Sequence, residues 1–548
     1  MNSVLRHLVV LPILIPLVAG ATLFFLAEAR RTARVTIAIV SMVAQLAVAL
    51  GLLYLTSDAA PYIWPEGIGV YAIGGWPAPF GIVLVVDRLT AVMLTLGAIV
   101  SLATLVYSIA RWDRPAQPFH SLFQFLAVGL NGAFLTGDLF NLFVFFEVLL
   151  AASYGLLLRG ATGPRVKMGL HYIAINLAAS LLFLIGVALI YGVAGTLNMA
   201  DLAGRAAALA PNDRAFLDAG AAILGIAFLV KAGSWPLNFW LPGTYSAAVA
   251  PVAASFALMT KVGFYAVLRI GTLMQEYETL GAALLYIGLL TLITSTIGML
   301  AAKHLGRLVA FTVLMSMGIL LACLGLRVEA LTAPALFYLV VSVLTTCTFF
   351  MLTGMTDRTR ATESPTAAEG HEPDTQAVYP AYGIKTPSTY EQGDDVGIAI
   401  PAVMAFLGMM FVCCVLLVSG LPPMPGFTAK FALLATMVGA SAEHGAPLST
   451  WVLGAAILAS GFVSVIALSR IGMRLFWSFA ARTTPRLRLL EAAPVAMLVL
   501  LCLGLTLAAD PVSRYLDSAA RSLHQPDTYI RAVLSQETRR EQRGAPRP

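Results

Sequence analysis

A chain of 548 residues with 59% hydrophobic and only 11% charged residues lies far from soluble proteins, in which about 25% of residues are charged. This composition excludes a soluble enzyme. The net charge of +6 does not indicate nucleic-acid binding, because most basic residues stand in short segments between apolar runs and there set membrane topology. The five cysteines lie inside apolar segments without ligand spacing, so we predict no disulfide, no metal centre and no cofactor.

Apolar runs recur along the chain at about 20 residues, the length that one bilayer crossing needs. They predict an all-α polytopic membrane protein with about fourteen transmembrane helices, two of them broken. The first run is longer than a signal-peptide core and Arg30, Arg31 and Arg34 follow it, so we expect an uncleaved first helix. The predicted spans are residues 4–26, 35–56, 83–109, 119–136, 139–158, 168–193, 219–241 (broken), 248–271, 279–301, 306–326, 332–355, 396–440 (broken), 450–478 and 490–509.

Changes in composition divide the chain into five segments. Residues 1–118 hold the first three spans, and residues 119–355 hold spans four to eleven with the first broken helix. Residues 356–395 are rich in Pro, Thr and acidic residues and predict a flexible cytoplasmic linker. Residues 396–509 hold spans twelve to fourteen with the second broken helix, and residues 510–548 form a basic C-terminal tail. Residues 194–218 predict a short surface helix.

Basic residues in the connecting segments predict the orientation of the chain. If the N-terminus lies outside, the cytoplasmic connections carry 18 basic residues and the external ones carry 5. The tail contradicts this bias, because its seven arginines after Asp510 then lie outside. Two explanations stay open: the tail lies on the surface as an amphipathic segment, or the number of spans is wrong by one.

Few ionisable residues fall inside the spans, where a charged side chain costs about 2.5–3.5 kcal/mol and is usually functional. Arg88 stands beside Asp87 at a span end, and a local ion pair or snorkelling explains it best. A movable contact between Glu147 and Lys231 is expected to switch the lysine between a proton-holding and a proton-releasing state. The candidates that remain are Glu147, Lys231, Lys261 and Lys430.

Proline and glycine interrupt two spans close to these lysines. Trp235-Pro236 follows Lys231, and the sequence SGLPPMPG, with Pro422 and Pro423, precedes Lys430. Helix breaks at membrane depth occur where the backbone lines a cavity, and they are typical of transport sites.

Each candidate also has a purely structural interpretation. Glu147 would be a hydrogen-bond partner, Lys231 would cap the carbonyl groups exposed before Pro236, and Lys261 would bind backbone carbonyls. Lys430 would follow an ordinary loop between two short helices and snorkel to the membrane surface.

Three motifs, in the same order along the chain, resemble a known family. They are GDLFNLFVFFEVLLAASYGLL; KAGSWPLNFWLPGTYSAAVAPVAA followed by LMTKVGFYAVLR; and SGLPPMPGFTAKFALL. They resemble the antiporter-like membrane subunits shared by respiratory complex I and the multisubunit Mrp-type, or Pha-type, cation/proton antiporters. The sequences of the three motifs are most similar to those of the D subunit of the antiporters, and the resemblance covers roughly residues 80–480.

The resemblance implies a fourteen-helix fold with inverted repeats and a proton path through Glu147, Lys231, Lys261 and Lys430. It implies a multi-pass protein of the cell inner (plasma) membrane that exchanges protons for monovalent cations. Its expected partners are the lipid bilayer and the other subunits of an antiporter complex, namely an A-like subunit together with small membrane subunits.

One departure from the family concerns the tenth span, which lacks the central histidine that many relatives carry. Proton passage between Lys261 and Lys430 would then need water or hydroxyl groups such as those of Thr312 and Ser316. Pro236, Pro422 and Pro423 would support the helix breaks.

We therefore predict a proton-translocating membrane subunit of a multisubunit Na+(K+)/H+ antiporter, which is a secondary transporter and not an enzyme. One rival is a proton-pumping membrane subunit of a redox complex, either NADH:quinone oxidoreductase or a membrane hydrogenase, which would use the same four residues. The second rival is a non-transporting membrane scaffold, in which Lys261 would tolerate substitution by Ala or Met.

Overall fold

The computed structural model describes residues 2–27, 30–60, 63–113, 119–160, 162–274, 277–361, 402–444, 448–476 and 487–544. Within these ranges the chain is built almost entirely from α-helices, with one short antiparallel pair of strands. The predicted linker at residues 356–395 lies outside the described residues from residue 362 onward.

The first half of the fold carries the strand pair and the first helix break. Strands β1 (Gly69–Ala72) and β2 (Val83–Val86) pair with Gly69 opposite Val86. Residues 83–86, predicted as the start of the third span, are therefore a strand, and that span begins at Arg88. The helices are α1 (Asn2–His7), α2 (Leu11–Phe25), α3 (Arg31–Leu55), α4 (Arg88–Ile109), α5 (Phe119–Leu135), α6 (Leu139–Leu157), α7 (Gly163–Ala194), α8 (Met199–Ala206), α9 (Pro211–Ala232) and α10 (Trp240–Ala247).

The second half continues with helices only, apart from single 3-10 turns such as Glu329–Leu331. Its helices are α11 (Ala250–Met274), α12 (Tyr277–Ala301), α13 (Leu305–Gly325), α14 (Thr332–Ala361), α15 (Ala402–Ser419), α16 (Pro425–His444), α17 (Leu448–Phe476), α18 (Leu489–Leu507), α19 (Ala509–His524) and α20 (Pro526–Gly544). The helix α8 occupies the region where a short surface helix is predicted.

Twelve helices in the described ranges are long and apolar enough to cross a membrane, and the apolar helices α2 and α5 are somewhat shorter. Together they coincide with the predicted spans. The most buried helices are α11, α13 and α14, in which about nine-tenths of the residues in the apolar stretch lie inside the protein. The predicted class, a polytopic all-α membrane protein with two broken helices, is confirmed.

The two breaks share one backbone design. α9 and α15 each end at a glycine in the left-handed region, Gly233 (φ 71°) and Gly420 (φ 77°). After each glycine, the next N–H donates to a carbonyl five residues earlier, at 3.0 Å in both breaks. These bonds cap the helix end in the manner of a Schellman motif. The peptide bonds Trp235-Pro236 and Pro422-Pro423 are both cis.

The C-terminal tail folds onto one end of the bundle, which we call the tail end. α19 packs against α4 and α14, and α20 packs against α8 and β1. The buried side chains of α19 recur at helical spacing, and its other faces are polar, so it is an amphipathic surface helix. Its buried residues are Leu516, Ala519, Ala520 and Leu523.

Connections that are predicted to be cytoplasmic meet at the opposite end. Arg31 forms an ion pair with Asp113 at 2.9 Å, and Arg111 forms one with Glu491 at 3.3 Å. Burial raises the pKa of Asp113, but His120 at 3.5 Å and the hydrogen bonds and charge of Arg31 outweigh burial and lower this pKa below its ordinary value. Hence basic residues from distant connections lie close together at this end of the bundle.

Candidate functional site

A single hydroxyl group lies between Glu147 and Lys231. Glu147 stands near the midpoint of α6 and is only partly buried, not enclosed as expected. Ser180, near the midpoint of α7, donates a short hydrogen bond to Glu147 Oε1. Lys231 Nζ donates to the same Ser180 Oγ at 3.4 Å. The expected direct contact between the carboxylate and the ammonium group is therefore replaced by a bridge through Ser180.

The surroundings of Lys231 do not match the capping interpretation. The carbonyl groups that end α9 accept hydrogen bonds from Gly233 N, Ser234 N and Ser234 Oγ. The Lys231 side chain, 9% exposed, instead lies over the ring of Phe146, with Nζ 5.0 Å from the ring centroid. Such a cation–π contact stabilises an ammonium group that has lost water.

A small cavity of about 20 Å³ adjoins Lys231. It has room for about one water molecule. Tyr172, Asn176 and Tyr245 contribute to its wall, together with Trp240 from α10. The Nε1 atom of Trp240 is buried and has no hydrogen-bond partner among the described residues. The cavity thus offers polar contacts beside the lysine.

Lys261 is the most enclosed of the three lysines. It stands in the middle of α11, is 1% exposed, and donates from Nζ to Ser316 Oγ of α13 at 2.6 Å. Ser316 in turn donates to Val313 O at 2.7 Å. Thr312, named beside Ser316 as a possible relay, donates to Val309 O of its own helix. Of these two hydroxyls, Ser316 is the one that meets the lysine.

Lys430 does not snorkel. Its side chain is 6% exposed and folds back onto the carbonyl end of α15, where Nζ donates to Val418 O at 2.9 Å and to Ser419 O at 3.1 Å. A cation is stabilised at this position by the helix dipole. A Cβ atom on Gly420 would lie 2.7 Å from Cδ of Lys430, so a larger residue at this position would displace the lysine side chain.

Ser464 of α17 lies between the regions of Lys261 and Lys430. Its Oγ is 3.5 Å from the sulfur of Met315, the neighbour of Ser316. The next turn of α17 carries Gly461, where an added Cβ would lie 3.6 Å from Lys430 Nζ. Ser464 is not predictable from the sequence, because a serine in a long apolar run carries no signal of which helix it faces.

A buried ion pair at the tail end corrects the interpretation of Arg88. Asp87 accepts two hydrogen bonds from Arg269 of α11, at 2.5 and 2.7 Å, while Arg88 pairs with Asp58. Burial raises the pKa of Asp87, but the charge and hydrogen bonds of Arg269 outweigh burial and lower this pKa. Tyr529 of α20 covers the guanidinium group at 5.3 Å. No sequence pattern links Asp87 to Arg269, which stands 182 residues later along the chain.

No group of three or more His, Cys, Asp or Glu side chains in the described part of the chain is arranged to hold a metal ion.

Known proteins resemble this chain both in sequence and in fold. The family model described as "NADH:quinone oxidoreductase/Mrp antiporter, TM" matches residues 136–370. The D subunit of a probable K(+)/H(+) antiporter of Rhizobium meliloti is 47% identical, over 98% of this chain and 99% of the relative. The D subunit of the Na(+)/H(+) antiporter of Alkalihalophilus pseudofirmus is 32% identical, over 97% of this chain and 100% of the relative.

A solved structure shows the same fold. A chain in the structure of the Mrp complex from Dietzia sp. DQ12-45-1b superposes with a TM-score of 0.80, covering 97% of this chain and 99% of that chain at 24% identity. The likeness thus extends over nearly the whole of both chains.

Proposed function

Because the chain belongs to the family of D subunits of the multisubunit cation/proton antiporters, we propose that it carries protons along a row formed by Glu147, Lys231, Lys261 and Lys430. It is a multi-pass membrane subunit of such an antiporter, and it works with other membrane subunits. The coupled cation is K+ or Na+, the ions that the names of its relatives carry.

The observation that supports this row is how its lysines are held. Each ammonium group is buried, and among the described residues each donates to a hydroxyl or a carbonyl oxygen and not directly to a carboxylate. A buried charge that no opposite charge contacts directly is costly. Ionisable groups of this kind are retained inside membranes mainly for proton or ion transfer.

The contacts of Ser180 define the first proton step. Ser180 accepts a hydrogen bond from the Lys231 ammonium and donates one to the Glu147 carboxylate. A proton that moves from Lys231 to Ser180 Oγ, while the hydroxyl proton moves to Glu147, leaves a neutral amine, an intact hydroxyl and a protonated acid. No charge then remains on either end of the bridge.

The later steps depend on charge repulsion between neighbouring lysines. A proton on Lys261 disfavours a second one on Lys231, and the same holds for Lys261 and Lys430. Moving one elementary charge across the membrane is worth about 2.3 kcal/mol per 100 mV, which couples proton movement to the opposing cation gradient. Ser316 holds the ammonium of Lys261 in place between these steps.

The names of the sequence relatives support a transporter role over a part in a redox enzyme. The sequence relatives that match nearly the full length carry antiporter names. The family model spans both kinds of complex, and chains of an archaeal respiratory membrane complex and of respiratory complex I share the fold. A scaffold without transport would have no use for three lysines in apolar helices, each of which costs stability.

Cation-dependent proton transport in inverted vesicles tests the row. The full gene cluster is expressed in a host sensitive to Na+ and K+, and the pH change after adding either ion is recorded. We expect Lys261→Met and Glu147→Gln to lower the signal to background with normal complex assembly. Lys303→Met, an exposed lysine at the end opposite the tail, is the matched control and should transport normally.

Two results would overturn the proposal. One is full transport by Lys261→Met, which would favour the scaffold. The other is acidification by the wild type that needs an electron donor and no cation, which would favour the redox complex.

A further inference from the structure

A second cavity near the lysine row lies at the tail end. It is a cavity of about 420 Å³, enough for several water molecules, between α11, α13, α14 and α19. We call it the tail-end vestibule. Its lining residues are Phe264, Leu268, Leu320, Cys323, Leu324, Arg327, Val328, Glu329, Leu331, Thr332, Ala335, Leu336 and His524.

The walls of the vestibule continue the helix faces that carry Lys261 and Ser316. On α11, Phe264 and Leu268 stand three and seven residues after Lys261. On α13, Leu320 and Cys323 stand four and seven residues after Ser316. These spacings place side chains on one face of a helix. The cavity therefore lies directly along the helix axes from the lysine–serine contact.

The floor of the vestibule is about one helical turn, roughly 5 Å, from that contact. Two apolar side chains, Phe264 and Leu320, form the floor. The mouth is polar: Thr332 and His524 share a hydrogen bond of 2.9 Å, and the exposed Glu329 stands beside them. His524 belongs to α19, so the C-terminal tail supplies part of the wall.

The cavity beside Lys231 faces the other way. Its wall includes Trp240 and Tyr245 of α10, which precedes the start of α11 at the end opposite the tail. α11 then runs from that end to Arg269 at the tail end. Two successive lysines of the row therefore have cavities toward opposite ends of the bundle: one touches Lys231, and the other ends about one helical turn from Lys261.

We propose that the tail-end vestibule is a water-filled access path through which Lys261 exchanges protons with the solution at the tail end, across a gate formed by Phe264 and Leu320. The inference rests on the proposed proton row. It adds a second opening to that row, midway along it, and gives the C-terminal helix α19 a role in forming this opening.

Cysteine labelling tests the vestibule in the assembled complex. The chain is first freed of its five cysteines, and the transport of this parent is the reference. Ala335→Cys then places a thiol in the vestibule wall, and Ala333→Cys is the matched control, since both alanines are 6% exposed and lie in the first turn of α14, but only Ala335 lines the cavity. The probe is a cationic, membrane-impermeant methanethiosulfonate, applied to sealed vesicles of both orientations.

We expect Ala335→Cys to react at least tenfold faster than Ala333→Cys, and only from the membrane face that carries the C-terminal tail. Because the added group fills the vestibule after folding, modification should lower proton transport at least tenfold for Ala335→Cys and leave the control unchanged. Equal reactivity of the two thiols, or full modification of Ala335→Cys with undiminished transport, would overturn the inference. Lys261→Met separates the two proposals: if it transports normally, the row itself fails, and if it is inactive while labelled Ala335→Cys is active, only the vestibule fails.

Discussion

The two broken helices have nearly the same backbone but hold their lysines in different ways. In the first, Lys231 lies before the break and reaches across to a hydroxyl of α7. In the second, Lys430 lies after the break and folds back onto the carbonyls of α15. In both breaks the last carbonyl groups of the helix need hydrogen-bond donors from outside the helix. Only in the second break does a lysine supply such a donor.

This difference separates two roles that a buried lysine can have. Lys231 touches an acid through Ser180, so its contacts suit proton transfer and contribute little to the helix break. Lys430 completes the hydrogen bonds of a helix end, so it stabilises the break as well as carrying charge. Substitution of the lysine should therefore affect transport alone in the first region and both transport and stability in the second.

Removing each charge is the strongest test of this contrast. Lys231→Met and Lys430→Met should both lower cation-dependent proton transport to background. Only Lys430→Met should also lower the melting temperature of the purified complex, because it leaves two buried carbonyls without their donor, at a cost of about 1–3 kcal/mol. Equal melting temperatures for the two variants would contradict the distinction.

Alanine substitutions at Gly233 and Gly420, the glycines of the two helix breaks, should sharpen the distinction between the two lysines. Gly233→Ala and Gly420→Ala both force a Cβ into the left-handed region, at a cost of about 1–2 kcal/mol. The new Cβ lies 2.7 Å from Leu241 in the first break and 2.7 Å from the Lys430 side chain in the second. We expect similar losses of stability, but roughly tenfold lower transport for Gly420→Ala and at most about twofold for Gly233→Ala. Vesicle transport at matched protein levels measures this ratio, and the reverse order would contradict the prediction.

The bridge at the first lysine can be broken without touching a charge. Ser180→Ala removes the hydroxyl between Lys231 and Glu147 and should lower transport by about tenfold or more, since a positioned proton donor contributes at least that much. Ser180→Thr, which keeps a hydroxyl, should restore most of the proton transport. Ser295→Ala is the control, because Ser295 is also buried but donates to Leu292 O of its own helix. Transport by Ser180→Ala equal to that of the control would show that the bridge has no role.

The smallest expected effect concerns the tail and should leave both breaks unchanged. Burial lowers the pKa of His524 below its ordinary value of 6.5, although Glu329 opposes this shift. A detached tail therefore binds a proton more readily than a docked one, so docking of α19 weakens as the pH falls below about 6.5 and is complete above it. Hydrogen exchange in residues 516–524 should rise a few-fold between pH 7.5 and 5.5 after correction for the intrinsic rate, and His524→Gln should remove the change. The amides of Ser234 and Leu421, which report on the two breaks, should stay protected at both pH values.

The sequence by itself determined the helices, the two breaks and the identity of the buried lysines. These features are local: an apolar run of membrane length forms a helix wherever it lies, and a proline removes a backbone donor whatever its neighbours are. Lys261 needed no partner to be recognised, because a charge in the middle of such a run is costly in any arrangement.

Only the tertiary structure decided what each of these side chains touches. Ser180, Ser464 and the pairing of Asp87 with Arg269 join helices that are far apart in sequence, and one serine among many apolar residues does not indicate which neighbour it faces. The same holds for Lys430, whose two carbonyl partners depend on how the chain turns at Gly420. Helix formation depends on hydrogen bonds within a few residues, whereas these contacts depend on which helices pack together, and that choice is made by the whole buried surface.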